Sequence, residues 1–262
     1  MHVTAARQAV GMRSGAATTI DERVARRAER QHGLVARWQV LAIGLTDRQI
    51  ERRVRDGRWE RLSPGVYRIV GAPATDAQRA LAAVLAGPSE SLACGLTSLA
   101  LLGVGVAPRV PSICVQPSQS ARTSGAATRR SPIAPMDRTL IGPIPATAPA
   151  RALLEAAPLV PDRVLRDLLD EVICRDLAAP SAIVGAIRRA PPGRGRSGAP
   201  RLLAALQPWL EGVAFDSPAE ARLLRRITGW GLPAPVRQHP VRLSDGVVVH
   251  VDLAWPSDRV GL

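Results

Sequence analysis

The chain has 262 residues, of which 46% are hydrophobic and 22% are charged. This composition is typical of a globular protein and excludes a wholly disordered chain, a coiled coil and a disulfide scaffold. The 35 basic residues are all arginine and outnumber the 22 acidic residues, which gives a formal net charge of +13. Such a positive field favours a polyanionic partner, which is DNA, RNA or an acidic protein.

More than half of the excess positive charge lies near the start of the chain. Residues 1–75 contain 14 arginines and 7 acidic residues, a net charge of +7. The three cysteines are widely spaced and form no C-x-x-C pair, which predicts free thiols in a cytoplasmic protein. The sequence predicts no membrane-spanning helix, and residues 1–20 lack the apolar core of a secretory signal.

After a flexible tail over residues 1–20, the chain predicts a small helical unit followed by a hairpin. The predicted elements are helices over 21–31, 35–43 and 46–56 and strands over 58–62 and 66–69. Three helices followed by a hairpin predict a winged helix-turn-helix DNA-binding domain over residues 21–75. Trp59, on the first strand, is expected to pack toward the third helix.

The rest of the chain predicts a helix-rich middle domain, a linker and a short C-terminal part. The middle domain, residues 76–190, contains apolar helices over 76–104, a short strand, an exposed polar loop over 116–135 and a strongly amphipathic helix over 161–177. Gly, Pro and Arg residues at its end predict a linker over 191–216. A helix and a β-hairpin over 217–262 complete the chain, and the predicted fold class is α+β.

The predicted third helix has the features of a DNA-recognition helix. Thr46 can cap its start, with Gln49 in the capping-box position three residues later. An apolar stripe follows one side, and arginines on the other faces can reach base edges in a major groove. The candidate DNA contacts are Arg48, Gln49, Arg52, Arg53 and Arg55 on this helix, and Arg58, Arg61 and Arg68 on the hairpin. A solvated basic face on a protein-binding module is the alternative interpretation.

Three segments of this region carry a family resemblance. They are QHGLV at 31–35, LTDRQI at 45–50 and GRWERLSPGVY at 57–67. They resemble the N-terminal winged-helix domain of AbiEi-type antitoxins, which belong to type IV toxin–antitoxin systems. The resemblance implies binding to double-stranded operator DNA, repression of the protein's own operon and a nucleotidyltransferase-type toxin as partner. A toxin-binding protein whose basic face meets an acidic toxin is an alternative function.

The C-terminal part carries a different resemblance. The segments SPAE at 217–220, GLPAP at 231–235 and VDLAWP at 251–256 resemble the start of the endonuclease-like domain related to very-short-patch-repair nucleases. Those nucleases belong to the PD-(D/E)XK superfamily, in which a helix Glu, a strand Asp and a Glu on the next strand bind magnesium. Glu220 matches the first ligand and Asp252 the second. The third carboxylate and the superfamily's lysine are absent from this chain.

This second resemblance therefore implies an incomplete restriction-endonuclease-like α/β part, truncated before its third ligand. Glu220 and Asp252 are expected to be vestigial, with no active catalytic residue and no cofactor, since Mg²⁺ would require an intact site. Glu220 also has a structural explanation, because Ser217 and Glu220 match a capping box. A metal-dependent DNA endonuclease is the alternative function.

Overall fold

The computed structural model describes residues 19–119, 125–191, 198–211 and 217–262. Over these residues the chain combines ten α-helices with three separate β-sheets, which confirms the predicted α+β class. No helix in these ranges is long and apolar enough to cross a lipid bilayer. Apart from its last two residues, the tail predicted over 1–20 lies outside the described residues.

The N-terminal unit, residues 19–71, packs three helices against a three-stranded antiparallel sheet. Its elements are α1 (Ile20–Glu29), β1 (Leu34–Ala36), α2 (Arg37–Ile43), α3 (Asp47–Arg55), β2 (Trp59–Ser63) and β3 (Val66–Ile69). In the sheet, β3 lies between β1 and β2. The helix predicted over 35–43 starts only at Arg37, because the three residues before it are fully buried and pair with β3 as a strand.

One apolar cluster and one pair of buried amides hold the N-terminal unit together. The cluster consists of Val24, Ala28, Val35, Val40, Leu45, Ile50, Trp59 and Tyr67. Beside it, Nε2 of Gln31 donates to Oε1 of Gln39 over 2.9 Å, and Nε2 of Gln39 donates to Oε1 of Gln31 over 2.8 Å. Because buried amides need partners, this reciprocal pair fixes α2 against the end of α1.

The middle unit, residues 76–210, contains a five-stranded sheet in the order β6-β5-β4-β8-β7. Its strands are β4 (Leu92–Ala93), β5 (Ser112–Val115), β6 (Ala127–Arg130), β7 (Arg138–Ile141) and β8 (Ile144–Thr147). Its helices are α4 (Asp76–Ala86), α5 (Leu96–Leu101), α6 (Pro149–Ala156), α7 (Asp162–Cys174), α8 (Pro180–Arg189) and α9 (Ala199–Leu210). A 3₁₀ turn, Pro135–Asp137, precedes β7.

The sheet corrects two predictions for the middle unit. The helical description of residues 76–190 omitted most of the strands, because segments of two to four residues are too short to show the alternation that identifies a strand. The loop predicted over 116–135 contains β6, which lies at the edge of the sheet and pairs in parallel with β5. Its side chains are mostly exposed, so the sequence carries no apolar signal for it.

Helix α9 corrects the linker predicted over 191–216. Leu202 and Leu206, four residues apart, lie on one side of α9 and are fully buried in the cluster formed with α5 to α8. Pro200 falls in the first turn of the helix, where proline is tolerated, and its Gly/Pro-rich surroundings concealed the helix in the sequence. Residues 192–197 and 212–216 of the predicted linker lie outside the described ranges.

Helix α4 connects the N-terminal unit to the middle unit. Leu81 packs with Ile113 and Ile144 of the five-stranded sheet, and Leu34 of β1 belongs to the same cluster. Nε2 of Gln78 donates to the backbone carbonyl of His32 over 2.6 Å. Since Gln78 and Leu34 are both buried, α4 is held from both sides.

A buried ion pair lies at the centre of the middle unit. Arg151 and Glu155 lie one turn apart on α6, with side chains 1% exposed, and Nε of Arg151 donates to Oε1 of Glu155 over 2.9 Å. Oε2 of Glu155 accepts from the backbone N–H of Gly95 and the hydroxyl of Thr147, each at 3.0 Å. Nη2 of Arg151 donates to the hydroxyl of Ser131 over 2.9 Å. These bonds join α6 to the start of α5, to β8 and to the end of β6.

The C-terminal unit, residues 217–262, places one helix beside a three-stranded antiparallel sheet. Its elements are α10 (Pro218–Gly229), β9 (Val236–Arg242), β10 (Val248–Trp255) and β11 (Val260–Gly261), and β10 is the central strand. Arg225 of α10 forms ion pairs with Asp167 over 3.1 Å and with Asp170, both on α7. Burial raises the pKa of Asp170, and the charge of Arg225 opposes that shift.

Replacing Arg151 by methionine is expected to lower the free energy of unfolding by about 3–5 kcal/mol, because Glu155 loses its cation in a buried site. The matched control is Arg188→Met, which removes an exposed arginine from helix α8. That change is expected to stay within about 0.5 kcal/mol of the parent protein. Urea unfolding followed by circular dichroism measures both, and equal losses would contradict the structural role of the pair.

Candidate nucleic-acid interface

The start of α3 is fixed by its own sequence. Gly44 ends α2 with φ of 114°, a left-handed conformation that favours glycine, and Leu45 then enters the core. Oγ1 of Thr46 accepts from the backbone N–H of Gln49 over 3.3 Å, and Oε1 of Gln49 accepts from the N–H of Thr46 over 2.9 Å. The predicted capping box is confirmed, and it occupies the amide oxygen of Gln49, a candidate DNA contact.

The outer face of α3 carries three arginines. Arg48, Arg52 and Arg55 follow each other at intervals of four and three residues, which places them on one side of a helix. All three are exposed, whereas Ile50, on the opposite side, is 2% exposed. The burial of Ile50 therefore directs a continuous row of guanidinium groups toward solvent.

The structure corrects one of the predicted DNA contacts, because Arg53 is buried inside the unit. Its side chain is 8% exposed and forms an ion pair with Asp21 of α1. Its Nη1 donates to the backbone carbonyl of Gln49 over 3.1 Å, and its guanidinium carbon lies 5.7 Å from the ring centroid of Trp59. The guanidinium thus joins α1, α3 and β2 inside the unit, because packing against Trp59 holds it away from the outer face.

The expected packing of Trp59 toward α3 is confirmed. Trp59 is 5% exposed and belongs to the same apolar cluster as Ile50, with Arg53 over its ring. Its ring centroid lies 5.7 Å from that of Tyr67 on the neighbouring strand. These aromatic contacts set the position of the hairpin β2–β3 relative to α3.

The three candidate arginines of the hairpin have different surroundings. Arg58 is exposed at the turn between α3 and β2. Arg61 is exposed, and its guanidinium carbon lies 5.7 Å from the ring centroid of Tyr67. Arg68 is directly opposite Glu60 on β2 and forms an ion pair with it. Arg58 and Arg61 thus have no carboxylate partner among the described residues, whereas Arg68 has one.

One further basic residue, which the sequence reading missed, lies at the start of α2. Nε and Nη2 of Arg37 donate to the two carboxylate oxygens of Asp47, at 2.8 Å and 2.6 Å. The hydrogen bond to Asp47, and then its negative charge, raise the pKa of Arg37. This bidentate pair connects the first residues of α2 and α3.

The two carboxylates that match metal ligands of the nuclease family, Glu220 and Asp252, lie in the C-terminal unit, and their contacts do not fit a magnesium site. Oε1 of Glu220 accepts from Nε and Nη2 of Arg237, at 2.9 Å and 2.7 Å, and the Glu220 side chain is 10% exposed. Oδ1 of Asp252, on the exposed surface, accepts from Nε2 of Gln238 over 2.9 Å. A guanidinium thus neutralises Glu220, and no cluster of three His, Cys, Asp or Glu suited to a metal occurs in the described ranges.

Two of the three cysteines, Cys94 and Cys114, are unreactive in the middle unit. Cys94 and Cys114 are buried free thiols, as the sequence predicted. Burial, and next the charge of Glu155, raise the pKa of Cys114 to about 12, and burial raises the pKa of Cys94 strongly. Because the thiolate is the nucleophilic form, these two side chains act as small apolar residues.

The N-terminal unit is similar to a family of regulators. Residues 22–70 match the family described as the transcriptional regulator AbiEi antitoxin. The match begins within α1, ends just after β3 and includes all three outward arginines of α3. No curated protein matches the chain. The family match supports the N-terminal resemblance and gives no support to the nuclease resemblance of the C-terminal part.

Replacing Arg53 by methionine is expected to lower the free energy of unfolding by about 1–3 kcal/mol, because the charged hydrogen bonds are lost while the apolar stem remains. The matched control is Arg52→Met, next to it on the exposed face, which should change stability by less than about 0.5 kcal/mol. Urea unfolding measures both variants. Arg53→Met unfolding at the same urea concentration as Arg52→Met would contradict the contacts assigned to Arg53.

Millimolar Mg²⁺ is expected to leave the Tm of the protein unchanged, because Glu220 and Asp252 are each bound to a neighbouring side chain. Thermal unfolding with and without the ion measures this, and NaCl at the same ionic strength is the control. A rise in Tm that depends on Mg²⁺ and disappears in Asp252→Asn would contradict the arrangement described for these carboxylates.

Proposed function

We propose that the N-terminal unit is a winged helix-turn-helix that binds double-stranded DNA. In this proposal α3 is the recognition helix and the hairpin β2–β3 is the wing. The observation that carries the proposal is the row of Arg48, Arg52 and Arg55 along the outer face of α3. A major groove about 12 Å wide admits a helix, and each guanidinium can donate two hydrogen bonds to O6 and N7 of guanine.

The surroundings of the hairpin arginines support different contributions of these residues to DNA binding. Arg58 and Arg61 are exposed and have no carboxylate partner among the described residues, so they are suited to phosphate contacts beside the groove. Arg68 would have to exchange Glu60 for a phosphate, so its contribution is smaller. Arg53 supports the interface from inside, and Gln49 retains only its amide nitrogen for a base edge.

We further propose that the chain is a transcriptional regulator of the antitoxin type. The match of residues 22–70 to the AbiEi antitoxin family supports this. In this proposal the protein acts in the cytoplasm, represses its own operon by binding upstream of its gene, and pairs with a nucleotidyltransferase-type toxin. The upstream region of its gene is therefore the first DNA to test, against a random-sequence duplex of the same length.

The triple variant R48Q/R52Q/R55Q is expected to bind the upstream duplex more weakly by about 1–3 kcal/mol for each base-edge contact that is lost. The control variant R109Q/R130Q/R188Q removes the same charge from exposed positions outside the N-terminal unit. It is expected to weaken binding much less. Fluorescence anisotropy at several salt concentrations measures both, and the two variants losing equal affinity would contradict base recognition by α3.

A further inference from the structure

A second basic surface lies far from α3 in the sequence, where α7 and α10 meet. The two helices border a cleft of about 320 Å³. Its lining consists of Arg163, Arg166, Asp167, Arg222, Arg225 and Arg226. In the described part of the chain, five arginines therefore face one carboxylate. This group, named here the arginine cleft, takes no part in the proposed winged helix-turn-helix.

One arginine of the cleft holds the two helices together, and the others are free to bind a ligand. Arg225 pairs with Asp167 and with the buried Asp170. The remaining four are exposed, and none pairs with an acidic side chain in the described part of the chain. Because Arg225 fixes α10 on α7, the four free guanidinium groups are brought together before any ligand binds. Holding like charges this close is unfavourable unless an anion compensates them.

The spacing of the free arginines indicates a ligand with several anionic groups. Arg163 and Arg166 lie three residues apart on one side of α7, and Arg222 and Arg226 lie four residues apart on one side of α10. At a rise of about 1.5 Å per residue, each pair extends about 4.5–6 Å along its helix. Each guanidinium carries five N–H donors, so the four together exceed what one phosphate accepts.

The composition of the described lining favours nucleic acid over an acidic protein as the ligand. Among the described residues, the lining contains no aromatic ring on which a base could stack and no apolar side chain that would bury the core of a protein interface. Guanidinium groups alone recognise charge and planar oxygen pairs, which are the features of a phosphodiester backbone. The apolar part of an acidic protein's interface would find no apolar side chain to pack against in the described lining.

We propose that the arginine cleft is a second nucleic-acid-binding site, which contacts successive phosphates of the backbone without reading sequence. It stands independently of the proposed recognition helix, since the two sites share no residue. Binding there is salt-dependent, because each phosphate contact releases condensed counterions. The chain thus holds nucleic acid at two places, one suited to base edges and one suited to the backbone.

The test uses the full chain with the α3 arginines already removed by R48Q/R52Q/R55Q, so that only other sites remain. To this background is added either the cleft variant R163Q/R166Q/R222Q/R226Q or the control variant R109Q/R130Q/R188Q/R242Q, which removes four exposed arginines elsewhere. Glutamine keeps helix propensity and removes the charge. A random-sequence duplex is titrated by fluorescence anisotropy at several salt concentrations, and circular dichroism checks that each variant folds.

The cleft variant is expected to weaken duplex binding at least tenfold and to reduce the salt slope by about 3–4, because each phosphate contact contributes about 0.9. The control should reduce the slope by less than 1. R222Q/R226Q alone should give about half of the effect, which provides a second reading if the quadruple variant unfolds. Equal losses in the cleft and control variants would overturn the proposal, and so would a larger loss of binding to poly-glutamate than to DNA. If the α3 substitutions alone change nothing, the proposed recognition helix fails and this test still stands.

Discussion

The buried side of α3 is the constraint on which the proposed interface depends. Ile50 enters the apolar cluster, and Arg53 reaches inward to Asp21 and over the ring of Trp59. With these two side chains fixed, helical geometry leaves Arg48, Arg52 and Arg55 on the outer face. The buried Arg53 thus helps to fix the orientation of the three exposed arginines. Its contact with Trp59 also sets the angle of the hairpin β2–β3.

A comparable arrangement recurs in the rest of the chain, where further arginines connect secondary-structure elements through ion pairs. Arg151 and Glu155 join three elements of the middle unit, and Arg225 joins α10 to α7. Since arginine is the only basic residue other than histidine, every such tie must use a guanidinium, whose planar fork suits bidentate pairing. The arginines without an acidic partner among the described residues include those on the outer face of α3, two on the hairpin and four in the arginine cleft.

The N-terminal unit could be predicted closely because its signals are local. The capping box of Thr46, the glycine after α2 and the turn between β2 and β3 are each readable within a few residues. The burial of Arg53 could not be read, because Asp21 and Trp59 approach it only in the folded chain. The same holds for the short strands of the middle sheet, which are recognisable by their pairing alone, and for the arginine cleft, whose two helices are distant in sequence. The nuclease resemblance at Glu220 and Asp252 rested on residue type and spacing alone. In the folded chain, Glu220 pairs with Arg237, and Asp252 accepts a hydrogen bond from Gln238.

The most direct test of the central claim, that the outer face of α3 reads the major groove, is methylation interference on the bound duplex. Methylation at N7 of guanine blocks the major-groove acceptor to which arginine donates. If α3 reads the major groove, N7 methylation within the binding site prevents binding of the parent protein, and fewer guanines are affected in Arg52→Gln. Binding that tolerates N7 methylation throughout the site, but is lost on methylation at N3 of adenine in the minor groove, would contradict it.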